Sequence, residues 1–203
     1  CDLDASSGGW NPVIHLHSHS GGKAKFDQER GIFIASETQQ ASECIGAANG
    51  NFLLAECLNE GFRAGHNAAT KVGFKKTTRR KVPTAEIIEE RPHRLIWALP
   101  TTTPIGERGK HFLDLQHDVT AADVQLAARE GYVSVEHTKR YTTLGMATDQ
   151  GKTGNIPGMA VLAQALGVEN PGDVGTTTFR PPYTPITLGA FAGRNVGALT
   201  DPV

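Results

Sequence analysis

From Val135 to Thr153 the chain reads Val-Glu-His-Thr-Lys-Arg-Tyr-Thr-Thr-Leu-Gly-Met-Ala-Thr-Asp-Gln-Gly-Lys-Thr, nineteen residues with two glycines, three cations and almost no aliphatic side chains. A half-buried strand needs alternating apolar residues, and an amphipathic helix needs them three and four apart. The stretch offers neither pattern and is expected to be a polar loop between structured elements. Backbone N–H groups at Gly145 and Gly151, with Lys152 and Thr153, are the kind of groups that bind phosphate. The nucleotide P-loop places four residues between its glycines, whereas five separate Gly145 from Gly151, and no strand-like run precedes Gly145. An ATPase reading fails on that spacing.

A second polar motif lies toward the end of the chain. Gly175 to Gly193 reads Gly-Thr-Thr-Thr-Phe-Arg-Pro-Pro-Tyr-Thr-Pro-Ile-Thr-Leu-Gly-Ala-Phe-Ala-Gly. Taken together with the first stretch, it resembles the alpha subunit of bacterial heterotetrameric sarcosine oxidase, a large multidomain flavoenzyme subunit, and the resemblance runs from Gly8 to Val203.

The residues themselves bound the fold as follows. With 203 residues there is room for one ordinary domain or two small ones. A formal net charge of −1 gives no global attraction to nucleic acid or membrane. The local exception is the basic run Lys71, Lys75, Lys76, Arg79, Arg80 and Lys81, which reads as a solvated linker or as a docking surface for an acidic partner. Cys1, Cys44 and Cys57 form no CxxC pair, so no disulfide framework, zinc site or iron–sulfur site is expected and a reducing cytoplasm is favoured. No apolar run approaches the ~20 residues of a membrane span.

Strands are expected at Cys1–Ala5, Val13–Leu16, Ile32–Ala35 and, short and buried, Cys44–Ala48, the last broken at Asn49-Gly50. Leu54, Cys57, Leu58, Gly61, Phe62 and Gly65 recur at helical spacing. Gly61 and Gly65 would let that helix lie close against a sheet. Residues 74–108, with Pro83, Pro92, Pro100 and Pro104, read as an extended connector in which Leu95–Leu99 could dock as a strand. A helical unit is expected from Gly109. Thr120 and Asp123 form a variant capping box for a helix through Leu126 and Ala127 that stops at Gly131. A second helix starts near Asn155, tolerates Pro157 in its first turn, buries Met159, Leu162, Ala163 and Leu166, and ends at Gly167. From Pro171 the prolines force extended structure.

These readings add up to an α/β fold class for residues 1–73, the C-terminal part of a dinucleotide-binding domain. A small all-α domain over 109–168 follows the connector, and residues 169–203 form an extended linker. The chain is expected to begin inside a domain and to be part of something longer.

Other constellations are weaker. His15, His17 and His19 would share one face of a strand, but no second cluster completes a metal site, and Ser18, Ser20, Gly21 and Gly22 suggest an exposed turn. Asp114, His117 and Asp118 could form an acid/base group, although capping accounts for Asp118 and Asp123. No residue is expected to be catalytic.

A strand, a small-residue turn and a helix N-terminus make a site for anionic groups, or a purely structural turn. The resemblance implies that this turn, with Gly46, Asn49, Gly50, Asn51, Phe52 and Leu53, lies beside a bound NAD. The strict Gly-x-Gly-x-x-Gly fingerprint is absent and is expected in a preceding part. It also implies FMN at an interface with a beta subunit. Arg140 and Lys152 would hold its phosphate, and Gly151 would allow close approach. Thr148, Gln150 and Thr153 would meet ribityl or ring atoms, and Thr177, Thr178, Phe179 and Arg180 would complete the wall. The covalent histidine and the catalytic FAD belong to the beta subunit, and tetrahydrofolate to a C-terminal domain. Small gamma and delta subunits complete the assembly, which demethylates sarcosine to glycine with hydrogen peroxide and a folate-trapped one-carbon unit. By itself the chain is expected to be inactive. The helical unit also resembles the domain of bacterioferritin-associated ferredoxins, yet no cysteine lies between Arg108 and Val168. A cofactor-free module docking a flavoprotein amine, opine or proline oxidase is therefore the alternative.

Overall fold

A computed structural model describes residues 9–74, 81–89, 94–98, 101–178 and 186–192. It divides into two units, residues 1–99 with 170–176 and residues 100–169 with 177–203.

In the first unit a short helix α1, His15–His19, precedes an antiparallel hairpin of β1, Ala24–Asp27, and β2, Ile32–Ala35. Ile32–Ala35 is the strand expected from its apolar run. Phe26 and Phe33 face each other across the hairpin with ring centroids 5.0 Å apart, edge to face. Asp27 Oδ1 accepts the N–H groups of Glu29 and Arg30, and Gly31 supplies the positive φ of 68° that closes the turn. Ile14, Phe26, Ile32, Phe33 and Val174 form the small core.

Three expectations for this unit are corrected. Residues 13–16 do not form a strand; His15–His19 are helical, so the three histidines do not share a face. His17 is buried with Nε2 2.9 Å from the Lys23 carbonyl, and a Cβ at Gly22 would strike its ring, so the local Gly-Gly turn and the histidine define each other. Residues 46–49 form a 3-10 turn, not the end of a buried strand, because Gly46 and Gly50 both take positive φ, 59° and 83°. Helix α2, Leu54–Lys71, is present, but none of its residues is buried and a Cβ at Gly61 or Gly65 would meet nothing within 4 Å. Those glycines do not serve close packing among the described residues.

Of the expected connector, residues 75–80, 90–93 and 99–100 lie outside the described residues, as does Cys1–Ala5. Its apolar stretch docks by side chains and not as a strand. Leu95 and Trp97 cover Gly31, and the Trp97 ring lies 6.5 Å from Phe26.

The second unit contains the antiparallel strands β3, Phe112–Asp114, and β4, Val119–Thr120, then α3, Ala121–Arg129, α4, Val135–Thr142, and α5, Asn155–Leu166. Helix α3 packs on both α4 and α5. Its start carries the expected capping box: Asp123 N–H donates to Thr120 Oγ1 and Thr120 N–H to Asp123 Oδ2. Val124, Ala127, Val135, Leu144, Met159, Val161 and Leu162 form the core, while Leu166 is only half-buried. Gly167 ends α5 at φ 72°, with Val168 N–H returning to the Ala163 carbonyl.

Helix α4 corrects the polar-loop expectation for residues 135–142. Val135 and Thr138, three residues apart, are buried, and α4 packs on α3, so tertiary packing stabilises a helix too short to form alone. The Tyr132 and Tyr141 rings also pack together, tilted, with centroids 4.7 Å apart. The tail departs from the extended expectation as well, forming a 3-10 turn at Pro171–Val174 and the short α6, Leu188–Ala192. Residues 179–185 and 193–203 lie outside the description. Both sheets among the described residues are two-stranded and antiparallel, and the fold is mixed helix and small sheet.

Candidate functional site

In the second unit, residues 143–154 connect α4 to α5 as successive turns. Thr143 opens them at φ 66° and Gln150 repeats the left-handed conformation at 51°, both uncommon without glycine. Three side chains hold this loop. Asp114, at the end of β3 and only 3 % exposed, accepts from Gln116 N–H and His117 N–H through Oδ1 and from Gly145 N–H through Oδ2. Burial pushes the Asp114 carboxyl up, but the three N–H donors and the neighbouring His117 charge outweigh it and leave its pKa lowered. Gln116 takes the Asp149 N–H on Oε1 and meets the Thr148 hydroxyl at 3.3 Å. Asn155, the first residue of α5, donates from Nδ2 to the Gln150 carbonyl at 3.2 Å and to Thr177 Oγ1 at 3.1 Å.

The two glycines of the loop have an internal reason to be glycine. A Cβ on Gly145 or on Gly151 would land on Asn155 Oδ1. Both also take positive φ, 65° and 71°. Several loop N–H groups are used inside it: Met146 donates to Thr143, Gln150 to Ala147, Lys152 to the Asp149 carbonyl, and Gly151 to Asp149 Oδ1. What the loop presents outward is side-chain chemistry. Thr148, Lys152 and Thr153 are exposed, with Gln150 half-buried. Such a set of hydroxyls, amide and ammonium suits an anionic, oxygen-rich group bound by side chains and not by a backbone cradle. Arg140 is tied to its own helix, with Nη1 3.1 Å from Glu136 Oε2. Thr178 is exposed, and Phe179 and Arg180 lie outside the described residues.

In the first unit, the turn from Gly46 to Leu53 is organised by Glu60. Its Oε2 accepts Gly46 N–H and its Oε1 accepts Asn51 Nδ2, each at 2.6 Å. Arg30 Nη1 reaches the Gly50 carbonyl at 3.0 Å, and Ile32 and Ile34 crowd the face where Gly50 would carry a Cβ. Cys57 Sγ donates to the Asn51 carbonyl, and Asn51 N–H closes back on the Gly46 carbonyl. Asn49 and Leu53 are half-buried and Phe52 is exposed. No group of three or more histidine, cysteine, aspartate or glutamate side chains among the described residues could hold a metal.

Residues 108–194 match the model of the sarcosine oxidase A3 domain. Over 205 residues, 99 % of this chain, the sequence is 42 % identical to sarcosine oxidase subunit alpha of Corynebacterium sp. strain P-1, of which the match covers 21 %. The chain belongs to the sarcosine oxidase alpha-subunit family. Identity to the alpha subunit of Rhizobium meliloti strain 1021 is 41 % over 204 residues, the whole of this chain and 20 % of that one. The chain thus spans about a fifth of the length of these alpha-subunit relatives. The fold is shared with L-proline dehydrogenase from P. horikoshii, at a TM-score of 0.61 and 19 % identity over 92 % of this chain and 38 % of that one.

Within this alpha-subunit chain, the structure brings Thr148, Gln150, Gly151, Lys152 and Thr153 onto one loop, and Gly46, Asn49, Gly50, Asn51, Phe52 and Leu53 onto one turn. The side chains that shape both are not legible as such in the sequence. Asp114 was legible only as an acid/base candidate, and its Asx turn with Gln116 and His117 was the available signal. Glu60 lies on α2, remote from the turn in sequence, and nothing local marks it as the partner of Gly46. Asn155 is readable as a helix start but not as the group that fills the space between two glycines.

Proposed function

We propose that this chain is the part of a sarcosine oxidase alpha subunit that supplies one wall of an FMN site and one edge of an NAD pocket. The observation that carries the reading is the 143–154 loop: it is held by the flanking side chains of Asp114, Gln116 and Asn155 while its outward side chains are Thr148, Lys152 and Thr153. Lys152 and Arg140 would offer charge-assisted bonds to the phosphate, and Thr148, Gln150 and Thr153 would meet ribityl or ring oxygens. Thr178 and Arg180 would extend that wall. When bound, FMN passes electrons to oxygen; this chain's part is to hold and orient it.

In the whole enzyme, residues 1–73 would close the dinucleotide-binding domain, with the Gly46–Leu53 turn beside NAD. Residues 109–168 would form the helical domain at the interface with a flavin-carrying beta subunit, joined through 74–108, and 169–203 would lead to a further domain. FAD and tetrahydrofolate would lie elsewhere in a cytoplasmic assembly completed by gamma and delta subunits. The reaction is the oxidative demethylation of sarcosine, and the chain alone would be inactive.

One observation favours a second reading. Because several of the loop N–H groups already have protein acceptors, the loop can also serve as a cofactor-free docking surface for a flavoprotein partner. The FMN-to-FAD ratio of the full-length complex separates the two. Lys152→Ala should slow FMN incorporation, and so lower FMN at unchanged FAD, through a loss of roughly tenfold in noncovalent affinity if one charge-assisted bond is removed. Full FMN loading would favour the docking surface.

A further inference from the structure

Asn155 stands at the junction of the two polar sequence motifs. It is 4 % exposed, and its Nδ2 hydrogens are divided between the Gln150 carbonyl in one motif and Thr177 Oγ1 in the other. Its Oδ1 accepts no N–H or O–H hydrogen bond and lies against the Cα faces of Gly145 and Gly151. A buried acceptor left in this state is unfavourable, so its orientation needs a cause. Turning the amide over would set Oδ1 against the Gln150 carbonyl, which can only accept. The two glycine Cα–H groups then offer Oδ1 weak compensation, and glycine is what allows them to come that close.

We infer that Asn155 is a positioning residue: its side chain, fixed on the first turn of α5, locks the 145–151 loop and the segment at Thr177 into one surface. Neither segment has regular structure of its own to hold it. The loop is anchored by Asp114 at Gly145 and by Gln116 at Asp149, and Asn155 anchors its far end at Gln150. Through the same amide, Thr177 is brought into the arrangement across 22 residues of sequence. The consequence for FMN rests on the flavin reading above, whereas the clasp itself does not.

The test uses the full-length alpha subunit assembled with its partners. Thr177→Val removes the hydroxyl at nearly constant volume, and Thr177→Ser keeps it. Amide hydrogen exchange is followed over 145–151 and, as a control, over the interior of α5, with the FMN-to-FAD ratio measured on the same samples. Thr177→Val should speed exchange of the loop by about fivefold, as expected for one hydrogen bond lost from a local opening. Exchange within α5 should be unchanged, FMN content should fall, and Thr177→Ser should behave as wild type. Loop exchange at the wild-type rate in Thr177→Val, or equal acceleration by Thr177→Ser, would overturn the clasp. Normal FMN in Lys152→Ala combined with a loosened loop in Thr177→Val would discard the flavin reading and support the clasp.

Discussion

Asp114 Oδ2 receives the Gly145 N–H at 2.8 Å across 31 residues of sequence, and this bond ties the β3–β4 hairpin to the loop before α5. Because Asp114 Oδ1 simultaneously holds its own turn through Gln116 and His117, one buried carboxylate fixes the relation between two irregular segments.

Asp114→Asn should therefore destabilise the chain by about 1.5–3 kcal/mol at neutral pH, because the amide can present only one acceptor oxygen to three N–H donors. The folded pKa of Asp114 is lowered relative to the unfolded carboxylate. Its contribution is thus fully present above the unfolded value of about 3.9 and is lost as pH falls through the folded value. Urea unfolding of wild type and Asp114→Asn across the acid range should show two curves converging as pH drops. A gap that widens toward low pH would contradict this assignment.

Gly151→Ala tests the internal reason for the glycine. The added methyl would strike Asn155 Oδ1, and the backbone at φ 71° disfavours any L side chain. A loss of about 1–3 kcal/mol is expected. In the double variant Gly151→Ala with Asn155→Ala the collision disappears, so the combined loss should fall short of the sum of the two single losses. Additive losses from denaturation curves would mean that Gly151 is required for backbone reasons alone.

The elements that were legible in the sequence are those whose signals are local. Thr120 and Asp123 announce their helix because both halves of the capping box lie within three residues. Gly167 ends α5 because a single αL residue suffices. The apolar run at Ile32 gives its strand. Helix α4 was hidden because its two buried residues, Val135 and Thr138, only become a helix face once α3 is there to receive them. The α1 histidines were misread for a related reason: alternation fits a strand, but His17 is fixed by the Lys23 carbonyl and by the absence of a side chain at Gly22. At the candidate site the residue types were readable, whereas their supports, Asp114, Asn155 and Glu60, act over sequence distances that no spacing rule spans.

Glu60 gives the last test. Its two oxygens accept Gly46 N–H and Asn51 Nδ2 at 2.6 Å each, so both ends of the Gly46–Asn51 turn hang on one side chain of α2. Glu60→Gln keeps the size but replaces one acceptor with an NH2 group, which opposes the Gly46 N–H or pairs with Asn51 only after the Asn51 amide turns over. Both bonds lose their charge assistance and one acceptor is replaced by a donor, a loss of about 1.5–3 kcal/mol. The turn should loosen before the helix does, since α2 extends well beyond it to Lys71. Hydrogen exchange at Gly46 and Asn51 should rise in Glu60→Gln while the middle of α2 keeps its protection. If the turn borders NAD as proposed, NAD retention by the full-length complex should fall in parallel. Unchanged exchange at Gly46 would show that Arg30 and the Ile32 and Ile34 side chains, packed around Gly50, hold the turn without Glu60.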